Sequence, residues 1–459
     1  MSVHTTRRRA LSGAAAAAMV LSFTAAPAVA MPDNQQPPGA PAPAPSIPVE
    51  TPVAPPPPDG KVPVPVDSIR EREYWLDEYG VRDAWKESTG KGVKIAVIDT
   101  GVDATHQDLS GTVKDGTDVS GKGDGKGHRG LGSEPEHGTL VSSLAAGTGH
   151  GADNPDGPGK QGGVIGVAPE AEILPVSLWL GNEEPGVKDV NEQIPNAVRW
   201  AVDNGADVIN MSVGSDSTEW PQSWDSAFAY AEEKDVLVVA ASGNRGSGLN
   251  QVGAPATIPG VLTVGGVNRA GQASWDSSSQ GISIAVAGPS EDMVGAMPND
   301  GYAEWSGSSA TVPLVSGTAA LIKAKNPDLS AAQIANQIIR TAHDAGEEGQ
   351  DPFYGHGILD VKAAVEEDVP EVDENPLGSM KHWMSVHRPA AVEPSEAASS
   401  PEVSETPDTE QVTEEATPPV AQAPLNETGA LPVVILAGFG LVVAGLTVAA
   451  VLHIRSMNR

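Results

Sequence analysis

The stretch KIAVIDTGVD, residues 94–103, decides the fold class. Its aliphatic run reads as a buried strand that stops on Asp99 and turns on Thr100 and Gly101, so Asp99 sits at a strand's carboxyl end. In open parallel sheets, ligands and catalytic groups collect beyond those ends. This strand, 93–98, and further strand-like runs at 171–177, 206–212, 236–241 and 261–265 alternate with helix-spaced patterns near 137–146, 191–204, 222–234 and 309–325. Residues 330–342 add a terminal helix with Ser330 as its cap. The alternation predicts an α/β domain, a mostly parallel sheet with helices on both faces, and no internal repeat is evident.

Two more stretches carry chemistry. EHGTLVSSLAAG, at 136–147, places His137 at the start of a helix on which Leu140, Val141, Leu144 and Ala145 recur at helical spacing. WSGSSATVPLVSG, at 305–317, places Ser309 after Gly307 at the head of a helix with Pro313 near its first turn and Asn326 and Pro327 closing it. A serine there gains the free amides and the positive end of the helix dipole. A serine hydroxyl becomes a nucleophile when a neutral imidazole takes its proton, and a carboxylate must fix that imidazole's tautomer. Asp99, His137 and Ser309 supply those three groups. The oxyanion then needs donors, for which the Ser309 amide and the Asn244 side chain in VVAASGN, 238–244, are the candidates.

Asp, His and Ser in this chain order resemble the subtilases, the subtilisin-like serine proteases, over roughly residues 70–365. VINMSVG at 208–214, GVIGVAP at 163–169 and GAPATIP at 253–259 are similar to further stretches of that family. The resemblance implies a serine endopeptidase acting on protein or peptide substrates, with Ser212, Val213 and Gly214 pairing with the substrate backbone. The family's serine motif, Gly-Thr-Ser-x-Ala-x-Pro, is here Gly307, Ser308, Ser309, Ala310, Thr311, Val312, Pro313. Counting back from Pro313 selects Ser309 over Ser308. Glu136 stands where a glycine is usual, and Gly288-Pro289 inverts a familiar order. The Asp-Thr-Gly triplet also marks aspartic proteases, but those need a second carboxylate in the same site, and no second triplet is present.

Other polar residues read as framework. His106 resembles a structural histidine of subtilases, and His128, His150, His343 and His356 lack paired-ligand spacing, so no transition-metal site and no cofactor is expected. Asp115, Asp118 and Asp124, and again Asp153 and Asp156, lie in glycine-rich loops without the EF-hand pattern. Solvated loops are the expectation there. Calcium is the alternative, because many subtilases bind it.

Residues 1–30 read as a signal peptide: Arg7 to Arg9, an alanine-rich apolar stretch, then Ala28-Val29-Ala30. The general secretory route fits better than the twin-arginine one. The chain has no cysteine, so no disulfide supports the exported domain. Residues 31–66 form a proline-rich extension suited to polyproline II, too short to resemble the globular propeptide of many secreted subtilases. It could space or wrap the peptidase domain, 67–366. Residues 367–430 read as an acidic disordered linker. With 60 acidic against 28 basic residues and a net charge of −32, nucleic-acid binding is not expected. The apolar run 431–452 is long enough to span a bilayer, and Arg455 and Arg459 place the tail 453–459 in the cytoplasm, the peptidase outside.

This layout resembles the mycosins, membrane-anchored proteases of type VII secretion systems, although mycosins often carry cysteines that this chain lacks. LNETG at 425–429 resembles instead a sortase cell-wall signal, with Asn426 departing from the usual proline. Two functions follow: a single-pass membrane endopeptidase processing exported substrates, or a catalytically weak subtilase serving as a structural component of a secretion complex. A non-catalytic adhesin on a stalk would require the triad to be coincidental.

Overall fold

The computed structural model of the chain describes residues 62–63, 69–182 and 184–388. The signal peptide, most of the proline-rich extension, the linker beyond Arg388, the apolar run 431–452 and the tail lie outside the described residues. Among those described, no helix is long and apolar enough to cross a membrane.

The described residues begin with β1 (Val62–Pro63), α1 (Trp75–Glu78), α2 (Val81–Ala84), β2 (Lys94–Asp99), β3 (Thr117–Asp118) and α3 (His137–Ala146). The hairpin β4 (Thr148–Asp153) and β5 (Lys160–Ile165) follows, then β6 (Glu172–Ser177), α4 (Val190–Asp203), β7 (Val208–Met211), α5 (Gln222–Glu233) and β8 (Leu237–Ala241). The last part holds β9 (Leu262–Val267), β10 (Ile284–Pro289), β11 (Met293–Met297), β12 (Gly301–Trp305), α6 (Ser308–Lys325), α7 (Ala331–Thr341), α8 (Val361–Glu366) and α9 (Met380–His387).

Seven strands form one sheet in the order β10-β9-β8-β7-β2-β6-β3, and every pair is parallel. The five strands expected from sequence are β2, β6, β7, β8 and β9, each within two residues of the expected bounds. Alternate residues serve opposite layers, as the pleat requires. Ile95 and Val97 join a core with Leu140, Leu144, Val312 and Leu314, whereas Ala96 and Ile98 join one with Ile194, Ala197 and Phe228. Both faces are thus covered, which explains why the strands show no alternating polarity. The chain leaves β2 toward β6 and β3 on one side and later builds β7 to β10 on the other, so the switch point lies beside Asp99.

Helix α6 is buried from Ser308 to Ile322 apart from Ser309. A helix apolar all round belongs inside a domain. The cap Ser330 accepts a hydrogen bond from Gln333 N at 3.1 Å, and Asp189 caps α4 through Asn191 N at 2.7 Å. The antiparallel pair β11–β12 was not evident from hydrophobic runs, and β1, inside the proline-rich extension, pairs with its edge through Val62 opposite Glu304.

One boundary is corrected. Residues 367–388 do not open a disordered linker. Asn336 Nδ2 donates to the Pro370 carbonyl at 2.9 Å, Gln337 holds the Glu367 carbonyl, and α9 packs along α5 with Met380 buried. Met380, Trp383 and Met384 recur at helical spacing, a pattern masked by the acidic, proline-containing residues around it.

Candidate active site

Asp99 closes β2 with its carboxylate fully buried. Its Oδ1 accepts from Thr100 N at 2.7 Å and from Thr100 Oγ1 at 3.2 Å. The same hydroxyl accepts from Gly138 N at 3.1 Å, which ties the start of α3 to the end of β2. This approach demands glycines: Gly101 has φ of 114°, and a Cβ on Gly138 would lie 2.3 Å from the Gly101 carbonyl oxygen. His137 is thereby held with Nδ1 at 2.9 and 3.0 Å from the two Asp99 oxygens. Donation from Nδ1–H to the carboxylate leaves Nε2 as the basic nitrogen. Trp305, at the end of β12, stands edge-on to the imidazole at 5.7 Å.

Ser309 lies in the first turn of α6, half-buried. Pro313 has no N–H, so the Ser309 carbonyl lacks its helical partner. Ser212 Oγ supplies one at 3.0 Å, and Ser309 Oγ in turn donates to the Ser212 carbonyl at 3.1 Å. Ser212 is itself oriented by Asn210, whose Nδ2 donates to Ser212 Oγ at 3.1 Å while its Oδ1 accepts from Ser316 Oγ at 3.0 Å. The proline four residues after the serine therefore couples the nucleophile's loop to the chain just past β7.

Ser308 takes a different place. It is fully buried, accepts from Gly243 N at 3.1 Å, and donates to Asn244 Oδ1 through both N (2.9 Å) and Oγ (3.0 Å). Two donors on Oδ1 assign the orientation of the carboxamide. A Cβ at Gly307 would lie 3.0 Å from Asn244 Nδ2, which puts that donor over the turn leading to Ser309.

Thr100, His137, Ser309, Asn244, Ser212, Val213 and Gly214 line a single cavity of about 380 Å³. Of the residues singled out from sequence, His137, Ser309, Asn244, Ser212, Val213 and Gly214 line this cavity, and Asp99 lies buried behind it on His137 Nδ1. An adjoining cavity of about 310 Å³ shares His137, Asn244 and Ser309 and is walled by Trp305 and Asp276. Glu134 borders both, and neither is lined by lysine or arginine. A larger cavity of about 690 Å³, beside Ile258, Ile282 and His356, holds none of these residues. With a buried carboxylate on one imidazole nitrogen, a serine at a helix start and an amide fixed beside it, the cleft can perform acyl transfer.

Sequence reasoning missed Asn210, Ser316 and Trp305. A polar residue inside an apolar strand or helix was the available signal for the first two, since such a group is buried only with a partner.

Four of the five loop aspartates named for calcium have protein partners. Asp118 accepts from the amides of Ser120, Gly121 and Gly123, Asp124 from those of Lys126 and His128, and Asp115 and Asp153 pair with Lys126 and Lys160. Among the described residues, no group of three His, Asp or Glu side chains is placed to hold a metal ion. His106 is buried, with Nδ1 accepting from Asp108 N at 3.1 Å and Nε2 3.2 Å from the Gly301 carbonyl.

The sequence profile of Peptidase_S8, the subtilase family, matches residues 90–357. Subtilisin DY of Bacillus licheniformis is 36% identical over 285 residues, which is 60% of this chain and 92% of that protein. Among solved structures, MycP1 from Mycobacterium smegmatis is 27% identical with a TM-score of 0.55, over 69% of this chain and 90% of its own. A structure described as the serine protease MycP1, an essential component of the type VII (ESX-1) secretion system, is 28% identical with a TM-score of 0.54, over 67% and 92%.

Proposed function

We propose, from the premise that the chain belongs to the subtilase family and is a serine endopeptidase, that it works tethered outside a bacterial membrane on exported polypeptides, with Asp99, His137 and Ser309 as its triad. The observation that carries the triad is the contact of His137 Nδ1 with both Asp99 oxygens in the cavity that also holds Ser309. Ser309 Oγ attacks the substrate carbonyl as its proton passes to His137 Nε2, and Asp99 stabilises the imidazolium. The tetrahedral oxyanion accepts from Ser309 N–H and Asn244 Nδ2 at the positive end of α6. His137 then protonates the leaving amine, and water hydrolyses the acyl-enzyme by the same route reversed. Ser212, Val213 and Gly214 hold the substrate backbone in extended form alongside.

The setting rests on the order of segments: a signal peptide, a proline-rich extension, the peptidase, an acidic linker and an apolar run followed by arginines. The likeness to MycP1 supports a place in a type VII secretion context, with exported polypeptides as substrates. Cavity walls that carry Glu134 and Asp276 and no lysine or arginine favour basic over acidic peptides.

Fluorophosphonate labelling of the chain from residue 31 tests the reading without a known substrate. Labelling lost in Ser309→Ala and kept in Ser308→Ala is expected. A folded wild-type chain that stays unlabelled would instead favour the scaffold role. Fractionation of the producing cells tests the tether: release of the peptidase into the medium on deleting 431–459 is expected, and unchanged membrane association refutes it.

A further inference from the structure

The chain continues beyond the matched family domain, and what it does next bears on the cleft. Ser379 and α9 are fixed at one end by Glu232 near the carboxyl end of α5: Ser379 Oγ donates to Glu232 Oε1 at 2.5 Å, and the amides of Met380 and Lys381 donate to Oε2 at 2.8 and 3.2 Å. At the other end, Arg388 Nε donates to the buried carboxylate of Asp225 at 2.6 Å. The second oxygen of Asp225 accepts from Trp220 Nε1 at 2.8 Å. Trp383 packs against Trp220 with ring centroids 4.7 Å apart, and the Arg388 guanidinium lies 5.1 Å over the Trp383 ring.

Trp220 belongs to a pocket. An apolar cavity of about 410 Å³ shares Leu180, Val213 and Gly214 with the catalytic cavity and continues along Ile194, Trp220 and Trp224. Trp220 lies in the irregular segment between β7 and α5, half-buried, where no strand or helix of its own fixes the ring. Its orientation depends on Asp225 and on Trp383.

We propose that residues 379–388 are a positioning element for the substrate cleft: Trp383 and Arg388 hold Trp220 as one wall of an apolar pocket that receives a large apolar side chain of the substrate on the amino side of the scissile bond. The proposal rests on the endopeptidase reading for its substrate and on the α9 contacts for its mechanism. Trp383 acts through Trp220 and is a positioning residue. Specificity is thus set partly by the segment that leads out of the peptidase.

The test uses the full chain from residue 31 in detergent with Ser309→Ala, so that peptides bind without being cut. The probes are fluorescein-labelled octapeptides of alanine and glycine with one Phe placed in turn at each of the first five positions on the amino side of the cut, read by anisotropy. One Phe position should bind more tightly than the peptide without Phe. Trp383→Ala should weaken that peptide by about 2- to 13-fold, the range for losing an aromatic pair, and Arg388→Ala should weaken it as well, by at least about 2-fold. Trp383→Phe should restore it, and the peptide without Phe should bind unchanged throughout. A general structural loss would weaken both peptides alike and overturn the proposal. So would a gain that survives both variants, or no gain at any position. If Trp383→Ala fails to fold by near-ultraviolet circular dichroism, Arg388→Ala decides the matter. Failure of the wild-type chain to label with fluorophosphonate would sink the catalytic reading alone, because binding is read on a chain that cannot turn over.

Discussion

Replacing Asn244 by Ala removes the side-chain amide fixed beside the Ser309 turn. Two donors from Ser308 hold its Oδ1, at 2.9 and 3.0 Å, so Nδ2 is committed to the cleft before substrate arrives. Such a preorganised donor acts on charge that exists only in the transition state, so kcat should fall and KM should stay. A drop of about 10²–10³ in kcat is expected, the range known for losing one oxyanion donor in subtilisin itself and adopted here for this relative. Ser308→Ala should behave differently, because it removes one of two anchors on Oδ1 and leaves the Ser308 amide in place. One hydrogen bond is worth about 0.5–1.5 kcal/mol, so kcat should fall only about 2- to 13-fold. The buried Gly243 amide would lose its acceptor, and stability should drop by about 1–3 kcal/mol. Hydrolysis of a fluorogenic peptide gives kcat and KM, and urea unfolding on a Ser309→Ala background gives stability. If Asn244→Ala keeps kcat within a few-fold, or Ser308→Ala is as inactive as Ser309→Ala, the division of roles between these serines is wrong.

Two further outcomes follow from buried carboxyls. Asp99→Asn should leave the domain folded and lower kcat by about 10⁴ at neutral pH, the cost known for this change in another serine protease, and activity within tenfold of wild type would contradict the tautomer argument. Glu73 is buried against Arg70 at 2.7 Å, and burial outweighs that partner and pushes its carboxyl from 4.5 up to about 8. Between those values the folded chain keeps a proton that the unfolded chain has lost, so this group's contribution to stability declines as pH rises from about 4.5 to about 8. In thermal melts on the Ser309→Ala background, Glu73→Gln should gain on wild type steadily from pH 5 to 8; a constant difference in Tm would refute the shift.

Much of the fold could be read directly because the deciding strands are buried on both faces. KIAVID, VINM and LVVAA need no tertiary information to be recognised, and Ser330 announced its helix by local capping chemistry. The hairpin β11–β12 left a weaker trace. Asn299 and Asp300 take φ of 63° and 57°, and Asn-Asp-Gly between two short apolar stretches is a hairpin signal that runs of hydrophobicity alone overlook. Asn210 and Ser316 meet across 106 residues, and no local pattern encodes such a pairing. Counting from Pro313 distinguishes Ser309 from Ser308 in the sequence, but the physical link is tertiary, since Pro313 releases the Ser309 carbonyl to Ser212 across 97 residues. The segment 379–388 was hidden by averaging, since Trp383 and two methionines cannot outweigh the acidic residues beyond them.

The burial of α6 carries a consequence for timing. This helix, near the end of the peptidase, fills the middle of one core, and β2, which holds Asp99, must wait for β6 and β7 to arrive on either side. Parallel pairings across so many residues make for slow, late assembly. A chain folded only as far as β12 has therefore neither a completed core nor the helix that carries Ser309. Proteolytic power arrives in the last act of folding, so an unfinished subtilase of this design is not yet a protease.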